Sequence, residues 1–459
     1  MPPSATTTLP TADCNTVDTP ACTKADPIQL CMFSAPMTAA DRIMRTADYA
    51  KNPTAYLKSA LGEDTFNERK QRFSIPEEVN MDAYGTGTHK QHFEQHIAQE
   101  VLGKHAGLFF ITGVQAQLAA LKIHCERAGK KRAAWHVSSH LEEAEERSFE
   151  ALYGLERTLL GHDPEALPTV KEIETVLSLP AAERPAVVLL EIPNRVLGCK
   201  TYSFSELEQI SSACKAAGVA LHMDGARLWE IEPFYQATAG KSFAELATLF
   251  DSVYVSFYKG LGGVSGAMLT HDDGTFIAEA KVWQRRAGGN AVTLGYELID
   301  CERGYNENIG TFARKREKMM EIVDKITVAT AQFRSADGSK IVRFVPEGAT
   351  CCQIHTVFGG FTASELEQAR DKVQAKSNVR VFERLRPKES LDEKMKAERA
   401  TTHNQQSQGE KAEVHDDKQH FMEWMIMSVT ERHATEVFVD AYVALCEELL
   451  AAGTGATSS

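Results

Sequence analysis

Between residues 84 and 256 the chain alternates short apolar runs with segments whose apolar residues recur every three or four positions. YGTGTHKQHFEQHIAQEV passes from a glycine turn into an amphipathic helix, and LFFITG reads as a short strand. VQAQLAALKIHCERAG predicts a helix, RAAWHVSSH a strand, EEAEERSFEALYG a helix and AVVLLEIP a strongly apolar strand. FSELEQISSACKAAG predicts a helix ending on Gly218, VALHMD a strand, SFAELATLF a helix and SVYVSF a strand. Strands alternating with helices predict an α/β fold with a mostly parallel central sheet covered on both faces. Ligands of such sheets sit beyond the carboxyl ends of the strands. That rule gathers His140, Asn194, Arg195, Asp224, Arg227 and Lys259 into one cleft.

Around residue 300 the rhythm changes. FARKREKMMEIVDKI predicts a charged helix, KIVRFV and CQIHTVF strands, FTASELEQARDKVQ a helix and VRVFERL a strand. HFMEWMIMSV predicts a further strand and EVFVDAYVALCEELL a closing helix. The predicted organisation is a Thr-, Pro- and Ala-rich disordered tail over 1–30 and a large domain with its N-terminal segment over 31–300. A smaller C-terminal α/β domain follows over 301–459, with a polar insertion at about 386–420 in which KESLDEKMKAERA has helical character.

Composition narrows the function classes. At 459 residues and 43% hydrophobic the chain can bury a large core. A net charge of −13 argues against a nucleic-acid partner, which needs a surplus of Lys and Arg along a groove. Ten cysteines without any C-x-x-C pair indicate neither a zinc site nor a disulfide framework, and fit a reducing compartment. The sequence has no apolar run of membrane-spanning length, and its start has neither the basic nor the apolar region of a secretory signal. The expectation is a cytoplasmic protein with no membrane, metal or nucleic-acid partner.

The chemistry concentrates in SVYVSFYKGLGG, where an apolar strand ends in Lys259 and glycines follow at once. Desolvation there lowers a lysine pKa and makes the amine a nucleophile toward a carbonyl; a phosphate contact or an ion pair are the other readings. In LHMDGARLW, Asp224 ends another apolar strand before a glycine. It could bind a metal, orient a histidine or pair with a protonated ring nitrogen, and nothing beside it has metal-site spacing. Pyridoxal phosphate needs both residues, a lysine for its aldehyde and an acid for its pyridine nitrogen. Its phosphate needs backbone N–H groups at a helix start, which Thr112, Gly113 and Val114 of FFITGVQAQLAA supply.

These stretches, with YGTGT, SHLEEAE, LLEIPNRVLGC and VWQRRAGGN, resemble the L-threonine aldolase and β-eliminating lyase family of pyridoxal-phosphate enzymes. The resemblance implies the fold type I, aspartate-aminotransferase-like architecture. It makes Lys259 the lysine that takes the cofactor aldehyde, Asp224 the partner of the pyridine nitrogen and Arg227 an arginine beside the cofactor. His140 is similar to the family histidine that stacks on the ring and is a candidate base. Thr112, Gly113 and Val114 match the phosphate loop, with threonine for serine and valine for threonine. Tyr258 replaces the serine before the lysine. Tyr84 and Gly85 resemble a loop that reaches the site, sometimes from a neighbouring subunit, and Arg286 of RRAGG is a candidate anion binder beside Asn194 and Arg195 on the substrate side.

Two departures concern the substrate. The family's carboxylate-binding arginine in a C-terminal strand has no counterpart in WMIMSVTERH, and its N-terminal DLRSDT-like segment survives only as Ser34 in LCMFSAPMTAADR. The implied reaction is cleavage of the Cα–Cβ bond of a β-hydroxy-α-amino acid into glycine and an aldehyde, in a homodimer or homotetramer with shared active sites. β-Elimination, racemisation or transfer on another amino acid uses the same cofactor residues; a non-catalytic scaffold would not need to keep both Lys259 and Asp224.

Overall fold

The computed structural model describes residues 27–30, 37–387 and 419–455. Its strands in chain order are β1 Ile28–Gln29, β2 Ala106–Phe110, β3 Arg132–His136, β4 Glu156–Leu160, β5 Val187–Glu191, β6 Ala220–Gly225 and β7 Ser252–Ser256. There follow β8 Ala267–His271, β9 Val342–Val345, β10 Gln353–Gly359, β11 Val379–Arg380, β12 Arg386–Pro387 and β13 Gln419–Met425. Seven strands form the central sheet in the order β2-β8-β7-β6-β5-β3-β4. Strands β7, β6, β5, β3 and β4 pair in parallel, while β8 runs antiparallel to both β7 and β2. A smaller antiparallel sheet, β12-β13-β10-β9, completes an α/β fold with a C-terminal domain.

The β-branched and apolar runs became the central strands because helices cover both faces: Val187–Leu190 and Val253–Val255 are buried throughout. Capping boxes start the helices Phe204–Ala217 and Ala363–Ser377, with Ser203 and Thr362 satisfying N3 amides. Gly218, at φ 63°, ends the first of these where the sequence places its stop.

Several expectations change. Strands β4 and β8 have no counterpart in the sequence reading: ERTLL is half-buried at a sheet edge and carries mixed polarity, and AMLTH is masked by the glycines before it. EEAEERSFEALYG is not one helix. It breaks into His140–Glu143 and Ser148–Ala151, because Glu146 and Arg147 adopt φ of 49° and 55°. VRVFERL contributes only Val379–Arg380, since its partner is the two-residue β1. That pairing, with Leu30 buried, makes the last residues of the expected tail ordered structure; residues 1–26 and Ser34 lie outside the described residues. The expected division at residue 300 falls inside the helix Gly295–Asn308, so a helix rather than a linker carries the chain across it. Of the expected insertion, Arg386–Pro387 and Gln419–His420 are paired strand, and 388–418 lies outside the described residues.

Candidate active site

Parallel register puts three strand-end side chains in a row: Glu191 of β5 pairs with Asp224 of β6, and Asp224 with Tyr254 of β7. All three line one narrow cleft with Gly113, Val114, Gln117, His140, Arg195, Arg227, Tyr258 and Lys259. Asp224 is buried, and Oδ1 accepts from the amide of Ala226 at 3.0 Å. Burial, and then the neighbouring Glu191 carboxylate, push its carboxyl up to about 7.

Lys259 sits three residues beyond the end of β7. Burial first, and then the Arg227 and Arg195 guanidinium groups, bring its amine down to about 8. The turn that follows is tight: Gly262 N donates to Lys259 O at 2.9 Å and Gly263 N to Phe257 O at 2.8 Å. Gly260 N donates to Glu230 Oε1 at 2.8 Å, and a Cβ at that position would lie 2.7 Å from the same oxygen and 2.8 Å from the Phe312 ring. The glycine after the lysine is therefore a matter of space.

His140 opens a short helix beyond β3, where Ser139 caps it. Its Nδ1 meets Glu145 Oε1 at 2.9 Å, and Glu145 has a fully buried side chain. That hydrogen bond raises the imidazole pKa against the opposing effect of burial. Glu191 ties the site together: Oε2 accepts from the His140 amide at 3.3 Å and Oε1 from the Arg195 amide at 2.9 Å.

The other end of the cleft suits an anion. The helix Gly113–Arg127 begins there, with Thr112 Oγ1 accepting from Gln115 N at 3.3 Å. A Cβ on Gly113 would fall 1.9 Å from the Tyr254 hydroxyl, so only glycine lets the loop approach β7 this closely. Tyr254 and Tyr258 share a side-chain hydrogen bond, and the buried Oε1 of Gln117 has no partner among the described residues. On the side of the small sheet, Arg227 Nε donates to Gln353 Oε1 at 2.6 Å. Arg195 Nη1 donates to both oxygens of Glu423 at 3.0 and 3.1 Å, and His355 Nε2 lies 3.2 Å from Glu423. Against burial, His355 and Arg195 hold the Glu423 carboxyl at about 2.

Not every predicted residue faces the cleft. Asn194 is buried behind it, donating to Ser138 Oγ at 2.9 Å and accepting from Leu197 N at 3.0 Å, so it braces the loop that carries Arg195. Arg286 stacks on Trp283 at 4.7 Å, and Tyr84 is 58% exposed in a turn whose amide donates to Val292 O at 2.8 Å. Sequence reasoning missed Glu145, Glu191, Gln117, Tyr254, Gln353 and Glu423. For Glu191 and Tyr254 a signal existed, their position at the ends of strands flanking Asp224. Glu145 is one of four nearby glutamates that pattern alone cannot rank.

A family model, beta-eliminating lyase, matches residues 71–348. The chain belongs to the beta-eliminating lyase family. A solved structure from Exiguobacterium sp. 255-15, named for aromatic amino acid beta-eliminating lyase/threonine aldolase, is 26% identical, with a TM-score of 0.69, and the match covers 92% of this chain and 96% of that one. A Listeria monocytogenes structure named for L-allo-threonine aldolase is 28% identical, with a TM-score of 0.67, over 89% of this chain and 99% of that one. Low-specificity L-threonine aldolase 1 of Arabidopsis thaliana is 24% identical over 60% of this chain and 74% of its own length. As a beta-eliminating lyase family member the protein has the fold type I architecture of enzymes that work on amino acids with pyridoxal phosphate. The cleft fits that cofactor in the groups it presents: a buried carboxyl, an amine of lowered pKa and a helix start that admits only glycine. Among the described residues no cluster of His, Cys, Asp and Glu is arranged to hold a metal, and no helix is long and apolar enough to cross a membrane.

Proposed function

We propose that the protein cleaves the Cα–Cβ bond of a β-hydroxy-α-amino acid, releasing glycine and an aldehyde. The observation that carries this reading is the His140–Glu145 pair on the cleft wall. With Nδ1–H donated to buried Glu145, the lone pair sits on Nε2, the nitrogen free to take a proton. Pyridoxal phosphate would be held by Lys259 at its aldehyde carbon, Asp224 at its ring nitrogen, and Gly113, Val114 and Tyr258 around its phosphate, with Thr112 capping the helix. Bound there, it supplies a sink for the electron pair left on Cα.

His140 Nε2 takes the β-hydroxyl proton, the carbonyl of the aldehyde forms as the Cα–Cβ bond breaks, and a proton returned to Cα completes glycine. Two guanidinium groups line the cleft, and Glu423 already neutralises Arg195. We therefore assign the substrate carboxylate to Arg227, whose Nε donates to the neutral Gln353 and whose nearest carboxylate, Glu230, stands off at 3.9 Å. Arg195 then positions the Glu423 side of the site.

We further propose a cytoplasmic homodimer or homotetramer with shared sites. Tyr84, Val292 and Tyr296 are 58%, 63% and 70% exposed, with Met81 beside them against Gly295, an apolar patch that a second copy would cover. The deciding experiment is a product screen of the cofactor-loaded protein over L- and D-β-hydroxy-α-amino acids, serine and alanine. Glycine with aldehyde is the expected result. Pyruvate with ammonia, inversion at Cα, or an exchanged group would assign elimination, racemisation or transfer instead.

A further inference from the structure

A second cavity, of about 460 Å³, lies behind the Lys259 turn. Its walls come from the N-terminal helices, the end of the helix Gly295–Asn308, the start of the helix Phe312–Ala329 and the segment after β13. Seven cationic side chains line it in a protein whose net charge is −13. Four of them are ion-paired and share three carboxylates. Arg42 and Arg303 face Asp300 at 3.6 and 2.8 Å, Arg45 and Arg303 share Glu307, and Arg314 pairs with Glu431 at 2.5 Å.

Arg69, Lys315 and Arg432 have no ion pair among the described residues. Arg69 has one 3.4 Å hydrogen bond to the carbonyl of Ile309. Lys315 is 3% exposed, and its ammonium makes one long hydrogen bond, 3.4 Å to Asn308 Oδ1, and lies 5.0 Å from the centre of the Phe312 ring. Burial lowers the pKa of both groups, as expected of charges that lack a partner. A buried, uncompensated ammonium is costly unless an anion shares its site.

We propose that this cavity binds a small phosphate-bearing anion, held by Arg69, Lys315 and Arg432. Two linked phosphate groups carry roughly three negative charges at neutral pH, one for each of the three cations that have no ion pair. The volume suits a small-molecule ligand. The site also touches the turn that carries Lys259: Arg42 donates to Gly262 O at 3.2 Å and Asn308 Nδ2 to Leu261 O at 3.0 Å. An anion seated there braces the floor of the catalytic turn from behind.

The test is calorimetric titration of inorganic pyrophosphate into the cofactor-loaded protein, so that the cleft's own anion end is filled. One equivalent per chain is expected, weakening as salt rises. Lys315→Met and Arg69→Ala should each cost about tenfold or more in affinity, and Lys315→Arg should retain binding. Exposed Arg432→Ala, which leaves the interior intact, should weaken binding as well. Absence of an isotherm at millimolar pyrophosphate, as when an acidic segment of another copy already fills the cavity, overturns the proposal. So does an isotherm that Arg69→Ala and Arg432→Ala leave unchanged.

Discussion

Glu145 holds Nδ1 of His140 at 2.9 Å from a fully buried position five residues along the chain. The contact exists because the helix His140–Glu143 stops at Ala144, whose φ of −140° leaves helical geometry and turns Glu145 back toward the ring. It fixes the tautomer and raises the imidazole pKa, so its removal should be visible apart from turnover.

Glu145→Gln should lower the His140 pKa, and with it the acid limb of the activity profile should move to lower pH. The expected loss in kcat is about 10- to 100-fold, by analogy with other orienting carboxylates. A histidine pKa raised by folding contributes stability that is fully present below its unfolded value of about 6.5 and is lost as pH rises through the folded value. The variant's Tm should therefore fall more at about pH 5.5 than at about pH 8.5. NMR titration of the histidines, with thermal melts at both pH values, checks this.

Asp224 has the opposite sense of linkage to an ordinary carboxylate. Its folded pKa of about 7 lies above the unfolded value, so it favours folding at low pH and opposes it as pH rises from the unfolded value through about 7. Asp224→Asn should raise the Tm of the cofactor-free protein at alkaline pH. The same change should weaken cofactor binding and cut the rate by roughly 10²–10³-fold. Near-normal kinetics would remove Asp224 from its proposed role.

Lys259 should behave as an amine of pKa about 8. In cofactor-free protein its labelling by an amine reagent should rise with a midpoint near that value, well below that of surface lysines. Lys259→Ala should abolish turnover and leave the fold intact. Borohydride treatment of the loaded wild type, followed by peptide mapping, should place the pyridoxyl group on this residue, and a label on any other lysine contradicts the assignment.

Gly113→Ala puts a Cβ 1.9 Å from the Tyr254 hydroxyl. The expected cost is about 1–3 kcal/mol of stability together with weaker cofactor binding. Tyr254→Phe removes the nearest clashing atom, the oxygen, and leaves the ring carbon at 2.5 Å, so the double variant should recover part of the stability loss. Urea melts of the four proteins in the cycle read the coupling directly.

Tyr84→Ala and Lys259→Ala should complement when mixed and allowed to exchange subunits, if Tyr84 serves the site of a neighbouring copy. Activity that appears only after exchange supports the shared site. A strictly monomeric mass with full activity in the wild type sinks it.

The sequence by itself determined the alternation of strand and helix and marked Lys259 and Asp224 as charged residues at the ends of apolar strands. Buried parallel strands must be apolar throughout, so a charged residue at their ends stands out, as Asp224 and Lys259 do. Glycine requirements at Gly113 and Gly260 were also legible as punctuation, although only the packing of Tyr254, Glu230 and Phe312 shows what they make room for. The edge strand β4 was not legible, because a half-buried strand of mixed polarity has no distinctive period, and the buried antiparallel β8 was hidden by the glycines before it. Tertiary structure alone chose among the glutamates after His140, and alone set Glu423 against Arg195 across 228 residues of chain. Strand ends are local features written in the chain, whereas the partner of a buried charge is fixed by which distant segments fold against it.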